Sequence, residues 1–149
     1  MGLVSMVTKK RVRSAWALSS QRHIDVDALL KDWADDAVWD SPSELGVGQT
    51  IKGKTALGDW YRRWEREFPQ RKLVPKNVCM KSTFLPSRNN VLMVEYTCTE
   101  TDKQGREYTY DGVTVIHSKD WVKIVKVTEY VAFAGLPQLS TLLKPTGEA

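Results

Sequence analysis

The sequence predicts an α+β fold in which helices pack on one face of a curved antiparallel sheet. Apolar residues recur with a helical period in the first half of the chain and alternate with a strand period in the second. Turn-forming clusters, with no helical pattern between them, separate four long alternating runs. The chain has 149 residues, so one domain over 1–149 is expected, long enough to bury a core without disulfides.

A first helix is expected over residues 4–20, where Val12, Ala15, Trp16 and Ser19 share a face. Asp25 is a suitable N-cap for a second, short helix. In it Val26, Leu29, Leu30 and Trp33 fall at helical spacing, and the pattern ends near Ala34 or Asp35. "AVWDS", halted by Pro42, reads as a short strand, and a Gly-rich loop follows with an extended piece at Gln49 to Ile51. Thr55 is placed to cap a third helix with the stripe Leu57, Trp60, Tyr61, Trp64 and Phe68, which Pro69 stops.

The four runs that follow are Lys72 to Phe84, Asn90 to Asp102, Arg106 to Ser118 and Trp121 to Phe133. "PSRN", "DKQG" and "SKD" fit the hairpin connections between them. Leu136 to Leu143 suits a short helix, and "KPTGEA" a frayed tail.

Composition narrows the function classes. A hydrophobic share of 42% and a charged share of 27% suit a soluble globular protein. The net charge is +4, but Lys and Arg are dispersed. The tight clusters, Lys9 to Arg13 and Arg62–Arg63, fall on expected helices and read as solvated faces, so nucleic acid is not the expected partner. Cys79 and Cys98 lack metal-type spacing and read as small buried residues of a reducing compartment, the cytoplasm; whether they pair is left open. His23 and His117 show no ligand spacing, so neither a metal nor another cofactor is expected. No apolar run is long enough to span a bilayer, and the N-terminus has no secretory pattern.

The phrases "LLKDWADDAVWDSP" and "IKGKTALGDWYRRW", in this element order, resemble the nuclear transport factor 2-like superfamily, and within it the SnoaL-like and ketosteroid-isomerase-like small proteins. The resemblance covers nearly the whole chain. It implies a cone, with three N-terminal helices against a strongly curved antiparallel sheet around an apolar cavity. It also implies a homodimer through the outer sheet face, and binding of a small apolar molecule. Metal-free acid/base chemistry (isomerase, cyclase, dehydratase or hydrolase) is one use of such a cavity; a non-catalytic ligand-binding or protein-interaction module of the same fold is the other. Fold alone does not choose between them.

Strand parity selects the acids. Glu129 shares a face with Val125, Val127 and Val131; Asp111 and His117 share one with Val113 and Val115; Glu95 shares one with Met93. If these apolar faces line the cone, Asp111, Glu95 and Glu129 become candidate acids or bases, because a desolvated carboxylate has a raised pKa. His117 lies about 20 Å from Asp111 along the strand and is not its partner. The expected pocket lining is Trp16, Trp39, Trp60, Trp64, Met93, Val113 and Val127.

Asp40 is the fourth candidate. The resemblance to the isomerase places Ser41 at the catalytic base position and Asp40 one residue earlier, on the other face of a regular strand. That departure argues against steroid isomerisation, and the carboxylate–arginine–carboxylate set of related epoxide hydrolases is not visible either. Asp32, Asp35 and Asp36 read as solvated charges and turn formers.

Overall fold

The computed structural model describes residues 24–42, 48–81, 90–119 and 123–132. The expected first helix with Trp16, the "PSRN" hairpin and the helix near 136–143 lie outside them. The described elements run α1 (Val26–Leu30), β1 (Trp33–Ser41), β2 (Gln49–Lys52), α2 (Lys54–Glu67), β3 (Gln70–Lys81), β4 (Asn90–Thr101), β5 (Glu107–Lys119) and β6 (Lys123–Val131). Three N-terminal helices were expected; two helices stand among the described residues.

Asp25 caps α1 as its sequence position predicts, its carboxylate accepting from the Ala28 amide at 3.0 Å. The helix stops at Leu30, earlier than the spacing suggests. Trp33 is claimed instead by β1, where it pairs with Ile124. A register shift between Trp33 and Val38 leaves Asp35 and Asp36 both exposed. These acids are solvated as expected, but they sit on a strand and not in a turn.

The cap of α2 also differs. The helix opens at Lys54, with Gly53 as N-cap at φ +88° and no capping side chain. Thr55 is already inside the first turn. A left-handed φ favours glycine at this corner, where the Gly53 amide donates to Ala37 of β1 at 2.8 Å. The stripe Leu57, Trp60, Tyr61, Trp64 and Phe68 is buried throughout, as its period requires.

The sheet has six strands in the order β2-β1-β6-β5-β4-β3. It is mixed, where a purely antiparallel sheet was expected: β1 runs parallel to β6, and every other pair is antiparallel. A meander read from local turns cannot foresee a strand from the first half entering beside β6. The "DKQG" hairpin forms as expected. There Asp102 accepts from the Gln104 and Arg106 amides, each at 2.9 Å, and from the Tyr108 hydroxyl at 3.0 Å.

The core lies between α2 and the inward face of the sheet. Val94, Tyr96, Cys98 and Glu100 of β4 face it, with Tyr108, Tyr110, Gly112 and Thr114 of β5 and Val127, Glu129 and Val131 of β6. Trp39, Trp60 and Trp64 form a continuous aromatic layer, with ring centroids 4.5 Å apart at each step.

One residue sets how this layer meets the sheet. Gly112 pairs with Tyr96, and the Tyr96 ring lies over its α-carbon. A Cβ there would come within 2.6 Å of the ring and 3.1 Å of the Tyr130 carbonyl. Gly112→Ala is therefore expected to destabilise the fold by about 1–3 kcal/mol through overpacking, read as a lower urea midpoint at unchanged slope.

Candidate functional site

Two carboxylates enter the aromatic interior from the sheet. Glu129 stands on β6, in phase with Val127 and Val131, so the alternation that buries the valines carries it inward. Two donors hold it. The Trp39 indole donates to Oε2 at 3.2 Å from β1, and the Tyr96 hydroxyl makes a short hydrogen bond to Oε1 from β4. Burial, and then the Glu129 charge, push the Tyr96 hydroxyl well above the ordinary phenol range, so Tyr96 stays protonated as the donor.

Glu100 is the second acid. It follows Tyr96 and Cys98 on the inward face of β4 and is fully enclosed. Its partner is Arg71 of β3, directly opposite in register, with Nε 3.2 Å from Oε1. The Arg71 side chain is 7% exposed, and its guanidinium lies 3.9 Å from the Trp64 ring centre, stacked on the aromatic layer. The pair is close in charge but imperfectly aimed: Arg71 Nε and both Glu100 oxygens have no well-directed hydrogen bond.

Burial pushes the Glu100 carboxyl up to about 7, against the pull of Arg71 and Tyr110. Burial also works against the Arg71 charge, but Cys98, Glu100, Tyr110 and Glu129 outweigh it and hold the guanidinium above its ordinary range. The Cys98 thiol, beside the same pair, is raised by burial to about 11 and stays neutral. Burial and the Glu100 charge raise Tyr110 well above the phenol range. The interior thus holds an acid that changes protonation near neutrality, a fixed cation and neutral hydroxyl donors. These are the ingredients of proton transfer to and from a bound molecule.

The expected acids fall on both sides of the sheet. Of the four candidates, only Glu129 faces the interior. Asp111 is outward and exposed, bound to Lys76 at 2.7 Å and to Thr97 at 2.6 Å. Those two hydrogen bonds, Lys76 first, lower its pKa, opposite to the raised value expected for a buried acid. Glu95 is outward and accepts from Asn77 at 2.6 Å. Asp40 is outward too, accepting from Thr50 at 2.6 Å, while Ser41 and Trp39 point inward. The register runs evenly from Val38 to Ser41, so no bulge rotates Asp40 into the interior.

Among the expected lining residues, Trp39, Trp60, Trp64 and Val127 are buried on the inward side. Met93 and Val113 lie on the outer face, and so does His117. The error at β5 has a clear cause. The valines at 113 and 115 suggested a core face, but the inward positions belong to Tyr108, Tyr110 and Gly112, whose size and contour fit the aromatic layer.

Sequence reasoning missed Glu100 and Arg71. Glu100 continues the phase of Val94, Tyr96 and Cys98, a signal that was available. Arg71 lies just before the expected start of its strand.

Elsewhere, an open cleft of about 460 Å³ lies between α1 and the start of α2, lined in part by Asp27, Leu30, Lys54 and Arg62. Its Arg62 is already paired with Asp27 at 3.2 Å. Among the described residues no group of three or more His, Cys, Asp or Glu is placed to hold a metal ion. No helix among them is long and apolar enough to cross a membrane.

Known proteins share this arrangement of elements. The SnoaL-like domain model matches residues 12–127. An NTF2-like protein of unknown function from Burkholderia pseudomallei K96243 superposes with a TM-score of 0.68 at 20% identity, covering 92% of this chain and 97% of its own. A candidate SnoaL-like polyketide cyclase from Jannaschia sp. CCS1 gives 0.73 at 10% identity, covering 97% of both chains. The epoxide hydrolase/cyclase-like enzyme SalBIII, of pyran ring formation in the polyether salinomycin, gives 0.65 at 13% identity, covering 86% of this chain and 92% of its own. At these identities the likeness is one of fold. No curated protein sequence matches the chain.

The raised Glu100 pKa has a consequence for stability. A carboxyl at about 7 in the fold and 4.5 in the unfolded chain binds its proton more tightly when folded. Its stabilising contribution is full below pH 4.5 and is lost as pH rises through 7. Glu100→Gln cannot lose that contribution. Urea unfolding between pH 4 and 8 is expected to show the stability difference moving in favour of the variant as pH rises, by up to about 3 kcal/mol.

Proposed function

We propose that this chain, which belongs to the SnoaL-like domain family, binds a small apolar molecule between α2 and the sheet and carries out acid/base chemistry on it with side chains alone. The observation that carries the reading is Glu129, a buried carboxylate held between the Trp39 indole and the Tyr96 hydroxyl inside an aromatic layer. Two fixed donors orient the carboxylate, and its apolar surroundings exclude competing water. Glu129 would take a proton from a carbon or hydroxyl of the substrate and return it elsewhere on the same molecule. Tyr96 and Trp39 would act as positioning residues.

The reaction class that fits is isomerisation, ring closure or ring opening of an enone- or epoxide-like substrate. The cyclase and epoxide hydrolase/cyclase-like names of two structural relatives support this choice of class. Steroid isomerisation is disfavoured, since the base position of that phrase is Ser41 and Asp40 faces outward. The aromatic layer of Trp39, Trp60 and Trp64 would set a preference for flat, conjugated substrates.

The outer sheet face, which exposes Val74, Met93 and Tyr130, supports a homodimer across it. Sedimentation is expected to give a dimer for the wild type and a monomer for Met93→Glu.

Turnover of an enone and epoxide panel tests the chemistry. Glu129→Gln is expected to lower kcat by about 10²–10⁴-fold. Tyr96→Phe should lower it by about tenfold, the loss of one positioning hydrogen bond. Asp111→Asn, on the outer face, should leave it unchanged. Equal rates for wild type and Glu129→Gln, with binding retained, would make the chain a binding module.

A further inference from the structure

Buried polar groups in folded proteins are nearly always paired. In this interior four atoms without a well-directed hydrogen bond gather at one place: Trp64 Nε1, Arg71 Nε and both carboxylate oxygens of Glu100. They are contiguous. The Arg71 guanidinium is stacked on the Trp64 ring, its Nε is 3.2 Å from Glu100 Oε1, and the Tyr110 hydroxyl and then the Trp64 indole lie near enough to Glu100 to favour its ionised form. Two donors and two acceptors thus stand side by side, close enough to attract one another but not aimed to form full hydrogen bonds. An aromatic wall, Trp60 and Tyr61 against Trp64, continues from this point.

Such a set is complementary to a particular ligand chemistry. A single ligand oxygen could satisfy a donor or an acceptor here, but not both sides at full strength. Two neighbouring oxygens could, one accepting from Arg71 or Trp64 while the other donates to Glu100. The neighbouring rings favour a flat, apolar frame to carry them.

We propose that Trp64, Arg71 and Glu100 form an anchoring site for a flat conjugated ring bearing two adjacent oxygens, as in a vicinal dihydroxy or hydroxy-carbonyl arrangement. The assignment rests on the reading of this interior as a ligand site, and it adds the substrate class and the residues that recognise it. Glu129 is the reacting carboxylate in that reading. Arg71 and Glu100 hold the oxygenated edge, so the two tasks fall on different strands.

Calorimetric titration of the full chain with 2,3-dihydroxynaphthalene and with 2-naphthol tests it. The diol is expected to bind at least tenfold more tightly. Glu100→Gln should cut this preference below threefold while keeping the affinity for 2-naphthol. A nitrogen–proton correlation spectrum of the wild type gives a second measure, independent of whether that variant folds. The Trp64 indole peak, identified by its loss in Trp64→Phe, should move on adding the diol. Equal affinity for the two compounds, or a diol preference with the Trp64 peak unmoved, overturns the anchoring site alone. Binding of neither compound overturns both the site and the reading of the interior on which it rests.

Discussion

Two carboxylates share one apolar interior, and the inward face of the sheet is organised around keeping them there. A carboxylate removed from water is strongly disfavoured unless donors or a cation take over the role of solvent. Glu129 meets that demand with two neutral donors from two other strands. Glu100 meets it with the guanidinium opposite, and only in part. The difference between them is chemical. One acid is clamped in place, and the other is left with a pKa of about 7. The Tyr96–Gly112 fit belongs to the same arrangement, since the glycine gives the tyrosine ring the room from which its hydroxyl reaches Glu129.

Much of the fold could be read from periodicity, because the period is a local property. The stripe from Leu57 to Phe68 and the strands β3 to β6 follow from their spacing alone. What could not be read was non-local. Trp33 fits a helical pattern as well as it fits a strand, and its pairing with Ile124 decides the matter. The parallel entry of β1 beside β6 has no signature in either segment, since each looks like a strand that any neighbour could accept.

The site was less legible than the fold, for a related reason. Parity sorts a strand into two faces but does not say which is inward. On β6 the apolar count was decisive and Glu129 was correctly faced. On β5 the valines pointed one way and the tyrosines with Gly112 the other. The tyrosines win because their rings fill the space beneath α2, while Val113 and Val115 remain half-buried on the outer face. Asp111 was carried outward with them. Glu100 stands two residues before the Asp102 turn, and its charge alone does not mark it as buried. Its burial depends on a cation that arrives from another strand.

The β1–β6 pairing also shapes how the molecule must assemble. Trp39 and Glu129 are 90 residues apart in sequence, yet one hydrogen bond joins them. As the chain leaves the ribosome, β1 and α2 are complete long before β6 exists. Until then Trp39 lacks its Glu129 partner. The β3–β4 and β4–β5 hairpins join near neighbours, whereas β1 meets β6 across a large sequence separation, the kind of contact that costs most loop-closure entropy. During that interval the N-terminal half presents an exposed strand edge and bare aromatic surface, the combination that invites chaperone binding or aggregation. The arrangement that seats Trp39 against Glu129 thus cannot close until β6 has been made.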